Sequence, residues 1–188
     1  MQEIEVKAWI TPQALMELRR QLEAEGFEPG RAYRQQDLYY LHPARDFFST
    51  DEALRLRHIN DMNSDFHETR LTYKGPSKST FGQSREELEC SVPDGETVQA
   101  ILERLGFQPA AVVTKERTTL HRQGLTFCLD TVEDLGSFLE IEVLCQAGEE
   151  EQARHRIEEA MAWAAFANPI PEPATYLELI LRRRKKHG

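Results

Sequence analysis

In the stretch EIEVK, Glu3, Glu5 and Lys7 alternate with Ile4 and Val6, and strand geometry puts the three charges on one face and the two aliphatic groups on the other. Two neighbouring carboxylates repel unless a cation lies between them. Carboxylate oxygens are the donors that hard ions such as Mg2+ and Mn2+ prefer, with water and substrate phosphate completing the shell. The alternation recurs downstream. Arg55 and Arg57 stand against Leu54 and Leu56, and Arg70, Thr72 and Lys74 against Leu71 and Tyr73. Arg85, Glu87 and Glu89 follow, then Lys115 with Arg117, Cys128 with Asp130, and Glu140 with Glu142. Carboxylates are concentrated on the segments of Glu3, Glu87 and Glu140 and cations on those of Arg55, Lys74 and Lys115. Arg through its planar fork and Lys as a point charge hold phosphate oxygens. A polyphosphate bridged by a divalent ion would therefore satisfy both walls at once.

These residues need elements to carry them. TPQALMELRRQLEAEG predicts a helix with Thr11 as N-cap, Pro12 at its first position and Gly26 ending it. Period-two runs predict strands at RAYRQQDLYYL, ALRLRHI, HETRLTYKG and SREELECSV, with loops at HPARDFFSTDE and PSKSTFGQ. Asp94 caps a second helix closed by Gly106, and three more strands follow, turning at Gly124 and at DLG. EEEQARHRIEEAMAWAAFA is a helix, broken by NPIPEP before a last helix from ATYLELI. About eight strands without interleaved helices predict an α+β fold built on an antiparallel sheet. Two arrangements suit it: a half-exposed sheet with a wet charged face, or a closed eight-stranded barrel with flanking helices and the charges pointing inward. Sorting of charge by strand favours the barrel. No repeat or linker divides the chain, so residues 1–188 read as one domain that includes the C-terminal helices over 149–188.

The 188 residues carry a net charge of −9 and a pI near 5.2, which argues against broad nucleic-acid or membrane-surface binding. Any anionic ligand must be met locally. No run approaches the roughly 18 apolar residues of a membrane span and no signal-peptide pattern opens the chain, so a cytoplasmic protein is expected. Cys90, Cys128 and Cys145 suit neither a disulfide framework nor a CxxC site. No GxGxxG, GxxxxGK[ST], GxSxG or HExxH is present.

EIEVK is similar to the ExExK motif of the CYTH superfamily, the triphosphate tunnel metalloenzymes, which include class IV adenylyl cyclases, thiamine triphosphatases and inorganic triphosphatases. DLYYLHP, DEALRLRH, LTYKGP, REELEC, KERTTL, FCLDTVEDLGSFLEIEV and TYLELIL follow in family order, so the resemblance spans nearly the whole chain. It is strongest to the class IV adenylyl cyclase-like branch, although Met1 stands two residues before Glu3 where some cyclases carry a longer stretch, and Asp134 replaces a frequent glycine. The resemblance implies a tunnel barrel acting on a triphosphate, with Mg2+ or Mn2+ held by Glu3, Glu5, Glu140 and Glu142. Lys7, Arg55, Arg57, Lys74 and Arg117 would bind the phosphates, with Lys115 beside them, and Asp130, Glu87 and Glu89 would give further metal or water contacts. Lys7, Tyr39 and Arg117 are the catalytic candidates, Tyr39 matching a tyrosine that some triphosphatases associate with water activation. The expected reaction is ATP to cyclic AMP and pyrophosphate; hydrolysis of thiamine triphosphate, tripolyphosphate or a nucleoside triphosphate is the alternative, and non-catalytic binding a third. A homodimer is compatible with the sequence.

Overall fold

Thr11 opens the first helix as its spacing predicts, its hydroxyl accepting the Ala14 amide at 3.2 Å with Pro12 in the first turn. In a computed structural model describing residues 2–77, 85–146 and 148–187, this helix is α1 (Pro12–Ala24). The expected loop at PSKSTFGQ lies mostly outside the described residues. The strands are β1 (Gln2–Ile10), β2 (Glu28–Leu41), β3 (Ala53–Asp61), β4 (His67–Ser77), β5 (Arg85–Val92), β6 (Gln108–Arg122), β7 (Leu125–Val132), β8 (Gly136–Cys145) and β9 (Ile170–Pro171). The remaining helices are α2 (Gly95–Arg104), α3 (Glu150–Trp163) and α4 (Tyr176–His187). Asp94 caps α2 by accepting the Thr97 amide at 3.0 Å. The long helix expected through Ala167 instead tightens to a 3-10 turn at Ala164–Ala167, and Asn168 ends it at φ 51°.

All ladders are antiparallel, in the order β5-β4-β3-β2-β6-β7-β8-β1-β9. Gln123 and Gly124 both take positive φ, 50° and 72°, the signature of a two-residue turn whose twist suits the β6–β7 hairpin. Asp134 turns the next hairpin at φ 65°, a conformation that a short polar side chain tolerates better than most. The expectation of a closed eight-stranded barrel is corrected: among the described residues no ladder joins β5 to β1. The free edge of β1 pairs instead with β9, Ala8 opposite Pro171 and Trp9 opposite Ile170. A proline suits that place, since an edge strand can spare an N–H. The sheet nonetheless curls, so that Glu3 of β1 and Glu87 of β5 line one cavity.

The convex face carries the apolar half of each alternation. Ile4, Leu139, Ile141 and Val143 pack with Leu18 and Leu22 of α1 and Ala153 and Ile157 of α3. Tyr40 and Leu56 meet Leu102 of α2. At one end the concave face also turns apolar: Val113, Val132 and Phe138 share the inward parity of Lys115, Asp130 and Glu140, and there Tyr176 and Ile180 of α4 pack on them. No described helix is long and apolar enough to cross a membrane.

Candidate active site

Register puts the charges side by side. Glu5 stands opposite Glu142 and Lys7 opposite Glu140 across β1 and β8; Arg117 stands opposite Asp130 across β6 and β7. On the other wall Asp37 faces Arg57, Tyr39 faces Arg55, and Lys74 faces Glu87. Apart from Asp130 these residues line a cavity of about 300 Å³, together with Glu3 and Lys115. Every sequence-predicted residue except Asp130 is in that lining.

The acidic wall holds a compact trio. One carboxylate oxygen each from Glu3, Glu5 and Glu142 lies within 4.8 Å of the others. Burial, then the charges of Glu142 and Glu5, push Glu3 up to about 8; burial and Glu140 push Glu5 up to about 7. Such crowding is what a dication relieves, and an all-oxygen donor set suits a hard one. Glu140 stands apart from this trio. Burial would raise its carboxyl, but the charges of Arg117 and Lys115 outweigh that and hold it below the usual range.

Arg117 is the hub between the walls. It donates to both Asp130 oxygens at 2.7 Å, to Glu142 at 3.1 Å and to Glu140. Asp130 departs from the expected metal set. It is fully buried, and Lys115 at 2.9 Å and Tyr176 at 3.0 Å join Arg117 on its oxygens, so it fixes cations. The charges of Arg117 and Lys115 overcome its burial and lower its pKa.

On the basic wall Arg57 grips Asp37 with two hydrogen bonds of 2.6 and 2.7 Å, and Arg55 approaches the same carboxylate at 3.7 Å. Arg55 also donates to Thr72 at 3.2 Å while its Nε has no partner among the described residues, an unusual state for a buried guanidinium. Lys74 pairs with Glu87 at 2.5 Å, and Glu89 accepts from Thr72 and Arg70 at 2.7 and 3.0 Å. Tyr39 is held protonated, burial and the Asp37 charge raising its pKa; as a neutral phenol it can orient a water but is a poor base. Lys7 donates to the Ala174 carbonyl, and burial lowers its pKa against the pull of Glu140 and Glu5.

The CYTH domain family matches residues 1–168. The chain belongs to the CYTH family. A relative provisionally named an adenylate cyclase, from Methanocaldococcus jannaschii, is 35% identical over 142 residues, 76% of this chain and 77% of that one. A solved Pyrococcus horikoshii protein is 35% identical with a TM-score of 0.85, over 96% of this chain and 99% of that one. A Hippeastrum protein, provisionally an adenylyl cyclase and described as having a dominant triphosphatase activity, is 22% identical with a TM-score of 0.70, over 95% and 93% of the two chains; at that identity the likeness is one of fold.

The sequence pattern left out Asp37 and Tyr176, which also line this CYTH cavity. Asp37 could have been found, since it shares parity with Tyr39 two residues on. The basic RRRKKH end of α4 presents Arg183 to Asp134 and Arg184 to the Ala110 carbonyl at 3.2 Å. The α4 residues lining the cavity are at its other end, Tyr176 to Glu178.

Proposed function

We propose that this CYTH protein is a divalent-metal-dependent enzyme that converts ATP to cyclic AMP and pyrophosphate inside the cavity. The observation that carries the reading is the trio of Glu3, Glu5 and Glu142 facing a wall of Arg and Lys across one 300 Å³ space. Mg2+ or Mn2+ held by that trio, with Glu140 adjoining, would supply charge stabilisation on the phosphates. The chain's own groups do the rest. Arg55, whose Nε has no hydrogen-bond partner among the described residues, Arg57 and Lys74 bind phosphate oxygens. Arg117, already shared among three carboxylates, and Lys7 and Lys115 hold the deeper part of the phosphate chain in line for displacement. The choice of cyclisation over hydrolysis draws on the 35% identical archaeal relative.

A second reading, triphosphate hydrolysis, draws on the neutral Tyr39 hydroxyl beside Arg55 on the cavity wall, where it could align a water. The fold neighbour from Hippeastrum carries that activity in its description. Incubating pure protein with ATP and Mg2+ or Mn2+ and separating the products decides between them. Cyclic AMP with pyrophosphate is the expected result; orthophosphate with no cyclic AMP would overturn the cyclase reading in favour of hydrolysis.

A further inference from the structure

We infer that Tyr176, the first residue of α4, is a positioning residue that holds the two tunnel lysines and Asp130 in the arrangement a phosphate chain needs, an inference that rests on the triphosphate reading above. Its ring centroid lies 4.6 Å from Lys7 Nζ and 4.9 Å from Lys115 Nζ. Its hydroxyl donates to Asp130 Oδ2 at 3.0 Å, the oxygen that also receives Lys115 and Arg117. One side chain thus touches three groups of the cation wall. It lies beyond residue 168, where the family match ends.

The chemistry of these contacts differs from packing. A carboxylate would hold an ammonium by neutralising it and taking its protons. A ring face attracts an ammonium through the quadrupole and takes none of its three N–H donors. Two like charges can therefore be kept close together while the N–H groups beyond the one Lys115 gives Asp130 and the one Lys7 gives the Ala174 carbonyl are left for phosphate oxygens. For the apolar socket alone, formed by Val113, Val132 and Phe138, a phenylalanine or leucine would serve; the buried hydroxyl needs a partner and finds a charged one.

The ring is itself fixed. Phe138 meets it edge-on with centroids 5.1 Å apart. The helix start is locked by a capping box, Thr175 accepting the Glu178 amide at 3.2 Å and Glu178 accepting the Thr175 amide at 2.7 Å. Arg184 ties the far end to Ala110.

The test compares wild type with Tyr176→Phe, Tyr176→Met and a control, Ile180→Ala, which removes packing from the same helix without touching a lysine. Tripolyphosphate binding with Mg2+ or Mn2+ is followed by calorimetry, KM and kcat by product release, and the lysine Hε resonances by NMR. Tyr176→Phe retains ring-shifted Hε signals but takes a donor from Asp130 and raises KM about three-fold; Tyr176→Met raises KM at least about ten-fold, leaves kcat within about three-fold and loses those shifts. Ile180→Ala lowers the melting temperature without moving KM. An unchanged KM in Tyr176→Met, or an equal rise in Ile180→Ala, would overturn the inference. If the Met variant does not fold, lysine Hε signals in the wild type without upfield ring shifts overturn it alone. Wild type that binds no tripolyphosphate with either metal refutes the triphosphate reading before any variant is compared, while the shifts report on Tyr176 independently.

Discussion

Glu5 sits in the middle of the acidic trio, so Glu5→Gln keeps its size and removes one donor charge; we expect metal-dependent turnover to fall by at least about 100-fold, read as product formed at saturating Mn2+. Full activity would take Glu5 out of the metal site. Arg57 poses a subtler case because its removal strands a buried carboxylate. Arg57→Ala should raise KM and also cost about 3–5 kcal/mol of stability, since Asp37 loses its bidentate partner. The double variant Arg57→Ala with Asp37→Asn should regain most of the stability and none of the substrate affinity. Protonation gives a further expectation. Glu3 and Glu5 titrate near 8 and 7 against an ordinary 4.5, so the metal-free folded chain holds protons that the unfolded chain would release. Their contribution is fully present below pH 4.5 and is lost as pH rises through 7 to 8. A dication at the trio reverses the penalty, so the melting-temperature gap between metal-loaded and EDTA-treated protein should widen from pH 6 to pH 8.5; a constant gap would refute this. The inward residues of β1 and β8 were legible because period-two alternation is a local signal. Asp130 was placed on the face of Lys115 and Arg117, but its pairing with them was not legible, since parity shows where a carboxylate points and not which cations reach it.

Among elements, helices were read well where their ends carry capping chemistry: Thr11, Asp94 and the Thr175–Glu178 box all act as N-terminal locks. Leu22→Ala in α1, at a site with no solvent exposure against Ile4 and Ile141, should cost about 2–5 kcal/mol by chemical denaturation while sparing the cavity. The stub β9 was hidden because two residues are too few to show a period, and a Pro-rich stretch ordinarily signals a break. The apolar end of the concave face was equally hidden. Val113, Val132 and Phe138 look like ordinary strand residues until α4, arriving from about 45 residues further along the chain, covers them.

For the whole molecule, an antiparallel sheet and the hairpins at Gly124 and DLG were legible, whereas the pairings of β2 with β6 and of β1 with β8 join strands far apart in the chain and were not. Antiparallel order follows from short connections, whereas whether the last strand meets the first depends on sheet curvature, which alternation does not encode. Metal and tripolyphosphate bound as proposed would together bridge walls contributed by both halves of the strand order, so at 100 times the dissociation constant they should stabilise the fold by about 2.7 kcal/mol; no change in melting temperature would argue against a shared site. The apolar stopper formed by α4 also has a consequence for traffic. With α4 packed across that end, the fragment seated nearest it should be the last to depart, because whatever lies between it and the opposite mouth must leave first. If the phosphate tail is the part seated beside Lys7 and Lys115, pyrophosphate should be the slow product, competing directly with incoming substrate, while the organic fragment escapes ahead of it.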